Sequence, residues 1–217
     1  SPKKQQERLI QLWCKRLLSI FEIEVALKGV TENLFNQKKY LMVSNHISWI
    51  DIIVIQSIRP SIFVAKSDVA SWPLFGWVAQ MTGTIFIKRE KVSDIKKALK
   101  KMKRRLIKRS VCIFPEGTST NGRYVLPFKS NLFQSSIDSN KSILPISLSY
   151  KEVGVYTDKV AFVDDMSLID SILKIKNESH IKVIVDVMQA IRPRGNRKEL
   201  ASYTHEIIQK SLSQNLS

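Results

Sequence analysis

The strongest constraint on how this chain can fold is its rhythm. Short runs of β-branched and aromatic residues recur along it, separated by segments of helix length. Such runs read as strands, at 24–30, 40–45, 61–66, 84–89, 110–114, 142–150, 159–163 and 181–188. Between and after them, 48–58, 70–80, 93–109, 128–138, 167–174 and 197–213 read as helices. Strands alternating with helices indicate an α/β chain with a largely parallel central sheet flanked by helices. The last strands lack full crossover helices, which predicts a mixed sheet. A length of 217 residues suits one such domain.

Residues 1–23 precede that pattern and predict a separate amphipathic helical segment, with the α/β domain at 24–217. Over 5–22, Leu9, Leu12, Trp13 and Leu17 keep helical spacing, and Leu18, Ile20 and Phe21 widen the apolar side. Lys3, Lys4, Arg8, Lys15 and Arg16 make the segment basic. It reads either as a helix packed on its own domain or as one lying in a membrane interface with Trp13 at headgroup level. No stretch reaches the ~18 to 20 apolar residues of a membrane span, and no signal peptide is visible. The chain opens at Ser1 rather than Met, which is compatible with a preceding anchor. Cys14 and Cys112 form no CxxC pair and read as reduced cysteines.

Charge narrows the partners. Lys and Arg number 35 against 19 Asp and Glu, a net charge of +16, so the surface attracts anions. Nine of those cations fall in 93–109: Lys96, Lys97, Lys100, Lys101, Lys103, Arg104, Arg105, Lys108 and Arg109. They surround an apolar stripe of Ile95, Leu99, Met102 and Leu106. The run has no aromatics for base stacking, and the chain carries no nucleic-acid motif, so nucleic acid is not an expected partner. An anionic membrane surface or an acidic carrier protein fits the run.

Three stretches carry possible chemistry. His46 and Asp51 lie in VSNHISWIDI. Five residues apart, they point about 140° apart on an ideal helix, so they meet only if His46 precedes the regular helix. Asp51 then holds one imidazole nitrogen and leaves the other to take a proton, the minimal general base for a hydroxyl. Glu116 follows the apolar run VCIF in FPEGTST, and Lys88 and Arg89 end GTIFIKRE, where they can grip a phosphate. Each stretch alone also reads as ordinary structure: a His–Asp pair, a turn, a polar strand end.

Taken together, the stretches are more specific. The chain resembles the glycerolipid acyltransferase family, whose best-known members are the 1-acyl-glycerol-3-phosphate acyltransferases, over roughly residues 10–190. The family's NHxxxxD block is matched by Asn45, His46 and Asp51, and its arginine-bearing strand end by Phe86, Ile87, Lys88 and Arg89. FPEGT is matched without a gap by Phe114 to Thr118, and the apolar stretch around a proline by Leu144, Pro145 and Ile146. The resemblance implies transfer of a fatty acyl group from a thioester, on coenzyme A or acyl carrier protein, to the hydroxyl of a lysolipid. The acceptor it implies first is 1-acyl-glycerol-3-phosphate, giving phosphatidic acid. It assigns catalysis to His46 and Asp51 and substrate binding to Asn45, Lys88, Arg89, Glu116, Gly117 and Thr118. Backbone N–H groups at the helix start after His46 are expected to hold the oxyanion. Trp72, Leu74, Phe75 and Trp77 are candidates for an acyl groove. No metal or cofactor is implied, and the enzyme is expected at a membrane, on its cytoplasmic face (the inner membrane in a bacterium).

One departure bears on the acceptor. Many members that form phosphatidic acid have Arg after FPEGT, where this chain has Ser119; Lys88, Arg89 or Arg123 can compensate. Relatives that acylate lyso-ornithine lipid, which has no phosphate, also vary there. Two other classes stay open. Ser44 and Ser48 flank His46 as in a serine esterase or lipase, although there is no GxSxG elbow and Ser48 suits a helix cap. A non-catalytic basic membrane-binding module is the other. His46, His180 and His205 have no metal-ligand spacing, and no P-loop or dinucleotide fingerprint is present.

Overall fold

The structure is a computed structural model that describes residues 2–71, 76, 79, 82–88, 92–163, 166–178 and 180–216. Its elements in chain order are α1 (Pro2–Ile20), β1 (Ile23–Gly29), α2 (Glu32–Phe35), β2 (Leu41–Ser44), α3 (Ile50–Ile58), β3 (Ile62–Lys66), β4 (Ile85–Ile87), α4 (Val92–Leu106), β5 (Val111–Ile113), α5 (Gln134–Ser139), β6 (Ile143–Glu152), β7 (Val155–Tyr156), α6 (Leu168–Lys176), β8 (Ile181–Val187) and α7 (Arg197–Leu216). The sheet runs β1-β8-β6-β2-β5-β3-β4, with β7 paired to β6. Pairing is parallel except where β6 meets β8 and β7. The expected mixed α/β sheet is therefore present.

Strand alternation sends side chains to two cores. Leu41 and Val43 of β2, with Val111 and Ile113 of β5, meet Ala98, Met102 and Leu106 of α4 and Ile208 and Leu212 of α7. Met42 and Cys112 point the other way, toward α3 and toward Cys14 and Leu18 of α1. So α1 and α3 cover one sheet face, and α4 and α7 cover the other. Met102 and Leu106 are fully buried, each worth about 1.5–3 kcal/mol of transfer free energy. Leu9, Leu12, Trp13 and Ile20 of α1 stay exposed.

Most elements fall where the periodicity puts them, and the differences have physical causes. The run 159–163 forms no strand. Its apolar residues Val160 and Ala161 are buried as a loop over the α3 side, and Phe162 donates its N–H to the Ile47 carbonyl at 2.9 Å. The helix expected at 128–138 begins as a 3-10 turn, Ser130–Phe133, before α5. That helix ends at Asn140, left-handed with φ 49°, as Asn tolerates at a helix C-terminus. Ser167 caps α6 by accepting the Asp170 N–H. Most of the helix expected at 70–80, with Trp72, Leu74, Phe75 and Trp77, lies outside the described residues.

Candidate functional site

The parallel neighbours β2 and β5 end at one edge of the sheet, where open α/β sheets leave a crevice at strand carboxyl ends. His46 follows β2, and Phe114 and Glu116 follow β5. All four residues of β2 are buried, so the chain leaves the sheet at Ser44, and α3 begins only at Ile50. His46 is thereby off the helix, and its Nδ1 lies 2.8 Å from Asp51 Oδ2.

Asp51 is fully buried and accepts four hydrogen bonds. Its Oδ2 takes Ile47 N–H at 2.6 Å and Ser48 N–H at 3.0 Å besides the imidazole. Its Oδ1 takes the Tyr150 hydroxyl at 2.7 Å. A carboxylate in a helix's first turn also sits favourably at the positive end of the helix dipole. Ser48 Oγ in turn accepts Ile50 N–H at 3.4 Å. Ser48 and Asp51 thus each accept an N–H near the start of α3, although the residue immediately before the helix is Trp49 and the Asp51 N–H goes to the Ser48 carbonyl rather than its hydroxyl. Burial and the Asp51 charge push the Tyr150 hydroxyl well above its ordinary range, so it stays a donor.

With Asp51 accepting from Nδ1–H, the other nitrogen, Nε2, is the imidazole's acceptor, and the ring is 21% exposed. Phe114 stacks on the ring at 4.1 Å and 15° and is backed by Phe63 at 5.9 Å. The imidazole is therefore fixed by a carboxylate at one edge and an aromatic plane on one face, with its second nitrogen not engaged by Asp51 and the side chain partly exposed. Such an arrangement can accept a proton from a hydroxyl.

The other sequence-predicted site residues separate into two groups. Glu116 is 3% exposed. Its Oε1 accepts His46 N–H at 2.7 Å and its Oε2 accepts Leu126 N–H at 2.8 Å. It is a bracket between the His46 turn and the loop after β5. Burial pushes its carboxyl up to about 7, against the two N–H donors, which favour the charged form. Asn45, equally buried, donates to the Leu148 carbonyl at 2.9 Å and accepts Leu148 N–H at 2.8 Å. Both side chains are turned to the main chain rather than to the crevice.

Lys88 is exposed just past β4, Thr118 is exposed, and Gly117 turns the loop at φ 86°, a conformation glycine adopts freely. Arg89 lies outside the described residues. Ser119 Oγ donates to the Phe162 carbonyl, and Arg123 lies over the Tyr156 ring at 4.8 Å. The expected oxyanion donors are corrected: the N–H groups of Ile47 and Ser48 already bind Asp51, and that of His46 binds Glu116. Ser44 Oγ is buried with no partner among the described residues.

A cavity of about 280 Å³ opens behind the site, lined by Ile87, Ile95, Phe114, Pro115, Lys129, Asn131 and Leu132. Phe114 therefore separates this mostly apolar space from the His46 ring. A larger cavity, about 630 Å³, lies at the β1 edge between α1, β1 and the end of α3. Among the described residues no cluster of His, Cys, Asp and Glu could hold a metal.

Comparison with known proteins adds four findings. A family profile described as Acyltransferase matches residues 27–149. The lyso-ornithine lipid O-acyltransferase of Pseudomonas aeruginosa is 30% identical over 209 residues, which is 95% of this chain and 79% of that one. The 1-acyl-sn-glycerol-3-phosphate acyltransferase of Neisseria gonorrhoeae is 37% identical over 126 residues, 57% of this chain and 49% of that one. The fold matches the crystal structure of the 1-acyl-sn-glycerophosphate acyltransferase PlsC from Thermotoga maritima with a TM-score of 0.72 and 20% identity, over 99% of this chain and 82% of that one.

Proposed function

The chain belongs to the acyltransferase family, and from that premise we propose that it moves a fatty acyl group from a thioester to the hydroxyl of a lysolipid at a membrane surface. The observation that carries this reading is the His46 imidazole, bound to Asp51 through Nδ1 at 2.8 Å, with Nε2 left as the acceptor on a side chain that is 21% exposed. In the reaction, Nε2 takes the hydroxyl proton as the oxygen attacks the thioester carbonyl. Asp51 fixes the tautomer and steadies the imidazolium. The tetrahedral intermediate collapses to the new ester, and the sulfur leaves and takes the proton back from Nε2. A thiol has a pKa of about 8.5, so its departure needs little acid assistance.

Glu116, Asn45 and Tyr150 are positioning residues in this account. Glu116 and Asn45 hold the His46 turn, and Tyr150 holds Asp51. Lys88, Arg89, Gly117 and Thr118 are assigned to the acceptor; Lys88 and Thr118 are exposed beyond the ends of β4 and β5. The apolar cavity behind Phe114 suits part of the donor's acyl or thioester arm.

The acceptor assigned first is 1-acyl-glycerol-3-phosphate, with Lys88 and Arg89 for its phosphate. Lyso-ornithine lipid is the second reading. It is supported by Ser119, a neutral residue bonded to the main chain where a phosphate-binding cation is expected, and by the long match to the Pseudomonas aeruginosa relative. The test is purified protein with a panel of lysolipids and both donor types, read by mass spectrometry. A lysolipid that gains one acyl chain supports the function, and its headgroup identifies the acceptor. No acylated product from any pair would refute it.

A further inference from the structure

On the reading just proposed the acyl group arrives as a thioester, and we infer that an acidic carrier protein delivers it by docking on the outward face of α4. The helix turns Ala98, Met102 and Leu106 into the core. That orientation projects Lys97, Lys100, Lys101 and Arg104 outward at helical spacing, with Lys108 in the turn that follows, and all five are exposed. Among the described residues the one acid paired with this row is Asp94, 3.4 Å from Lys97 in the first turn. The rest of the row has no internal counter-charge. Like charges one turn apart weaken a helix, and an anionic partner relieves that repulsion.

Two positions in the fold favour a folded acidic protein over an anionic membrane. The exposed apolar residues of α1, Leu9, Leu12 and Trp13, are the part of the chain suited to a lipid interface. Cys14 and Leu18 seat α1 on the sheet face opposite the one α4 packs on, with Glu7 reaching Arg109 just past the end of α4 at 3.2 Å, so a bilayer that receives the outer side of α1 leaves the outward face of α4 turned away. The second is the cavity of about 280 Å³, lined by Ile95 of the first turn of α4 and by Phe114, which stacks on His46. A carrier seated on α4 thus has beside its docking helix a mostly apolar cavity whose wall, Phe114, stacks on the imidazole. Coenzyme A presents the same thioester without a folded acidic surface, so it can reach His46 without engaging the row.

The test compares the two donors carrying the same acyl chain. The variant is K100E/K101E/R104E, three exposed positions where Glu retains helix propensity. The expected result is a fall of about tenfold or more in kcat/KM with acyl carrier protein, with acyl-CoA within about twofold. Salt should slow the carrier reaction selectively, because the Debye length shrinks from about 10 Å at 0.1 M to about 3 Å at 1 M. Equal loss with both donors overturns the inference. So does loss of sedimentation with phosphatidylglycerol vesicles in the variant, which assigns the row to the membrane. If the wild type transfers from neither donor, the acyl-transfer reading fails separately. Docking is then read from the anisotropy of labelled acyl carrier protein. Binding that the triple substitution weakens about tenfold upholds the inference, and no binding by the wild type overturns it.

Discussion

Glu116 makes a thermodynamic prediction that needs no substrate. Its carboxyl is buried between two N–H donors and sits at about 7 in the folded protein, against 4.5 for the free group. A carboxyl raised by folding holds a proton that the unfolded chain has released. Its stabilising contribution is present below the unfolded value and is lost as pH rises through the folded value. Between pH 5 and pH 8 that loss amounts to about 2.5 kcal/mol. Glu116→Gln cannot titrate, and its amide turns an N–H toward one of the two donors, a cost of about 1–3 kcal/mol. Urea denaturation of both proteins at pH 5 and pH 8 isolates the effect. The variant's deficit relative to the wild type should be larger at pH 5 and shrink by about 2.5 kcal/mol at pH 8. A deficit independent of pH would show that the carboxyl is not raised by burial, and the bracket would have to be redrawn as a solvated contact.

Two further outcomes follow from the hydrogen bonds around Asp51. Tyr150→Phe removes the donor to Oδ1 and leaves a buried oxygen unpaired. It should lower unfolding free energy by about 1–3 kcal/mol and reduce kcat with KM little changed, whereas a purely packing role for Tyr150 predicts an unchanged kcat. Ser48→Ala should cost about 1 kcal/mol through loss of the Oγ that accepts Ile50 N–H while acyl transfer persists, and a serine-directed phosphonate should label neither Ser44 nor Ser48. Labelling of either serine would favour the hydrolase reading.

How far the sequence discloses this site depends on the range of the interaction. The ends of β2 and β5 were legible because buried strands read as continuous apolar runs bounded by NH and PEG turns. The His46–Asp51 contact was legible as a geometric condition: it required the helix to start after His46, and α3 starts at Ile50. Tyr150 was not legible. It sits 99 residues from Asp51, in a strand where an aromatic looks like any core residue, and only sheet order brings the two together. Glu116 and Asn45 were visible as motif members, but their partners, the main chain of His46, Leu126 and Leu148, depend on tertiary placement. Ser48 and Asp51 carried a local signal, short polar side chains near a helix start, and the bonds Asp51 accepts account for why the Ile47 and Ser48 amides are unavailable to an oxyanion. The run 159–163 was misread because an apolar segment that covers a core as a loop has the same composition as a buried strand.

The central claim is that Nε2 of His46 takes the proton of the attacking hydroxyl. The most direct measurement is the single-turnover rate of acyl transfer by His46→Ala, with circular dichroism confirming the fold. General-base catalysis contributes about 10²–10⁴-fold, so the rate should fall by at least about 10²-fold. A variant that transfers at the wild-type rate would contradict the account.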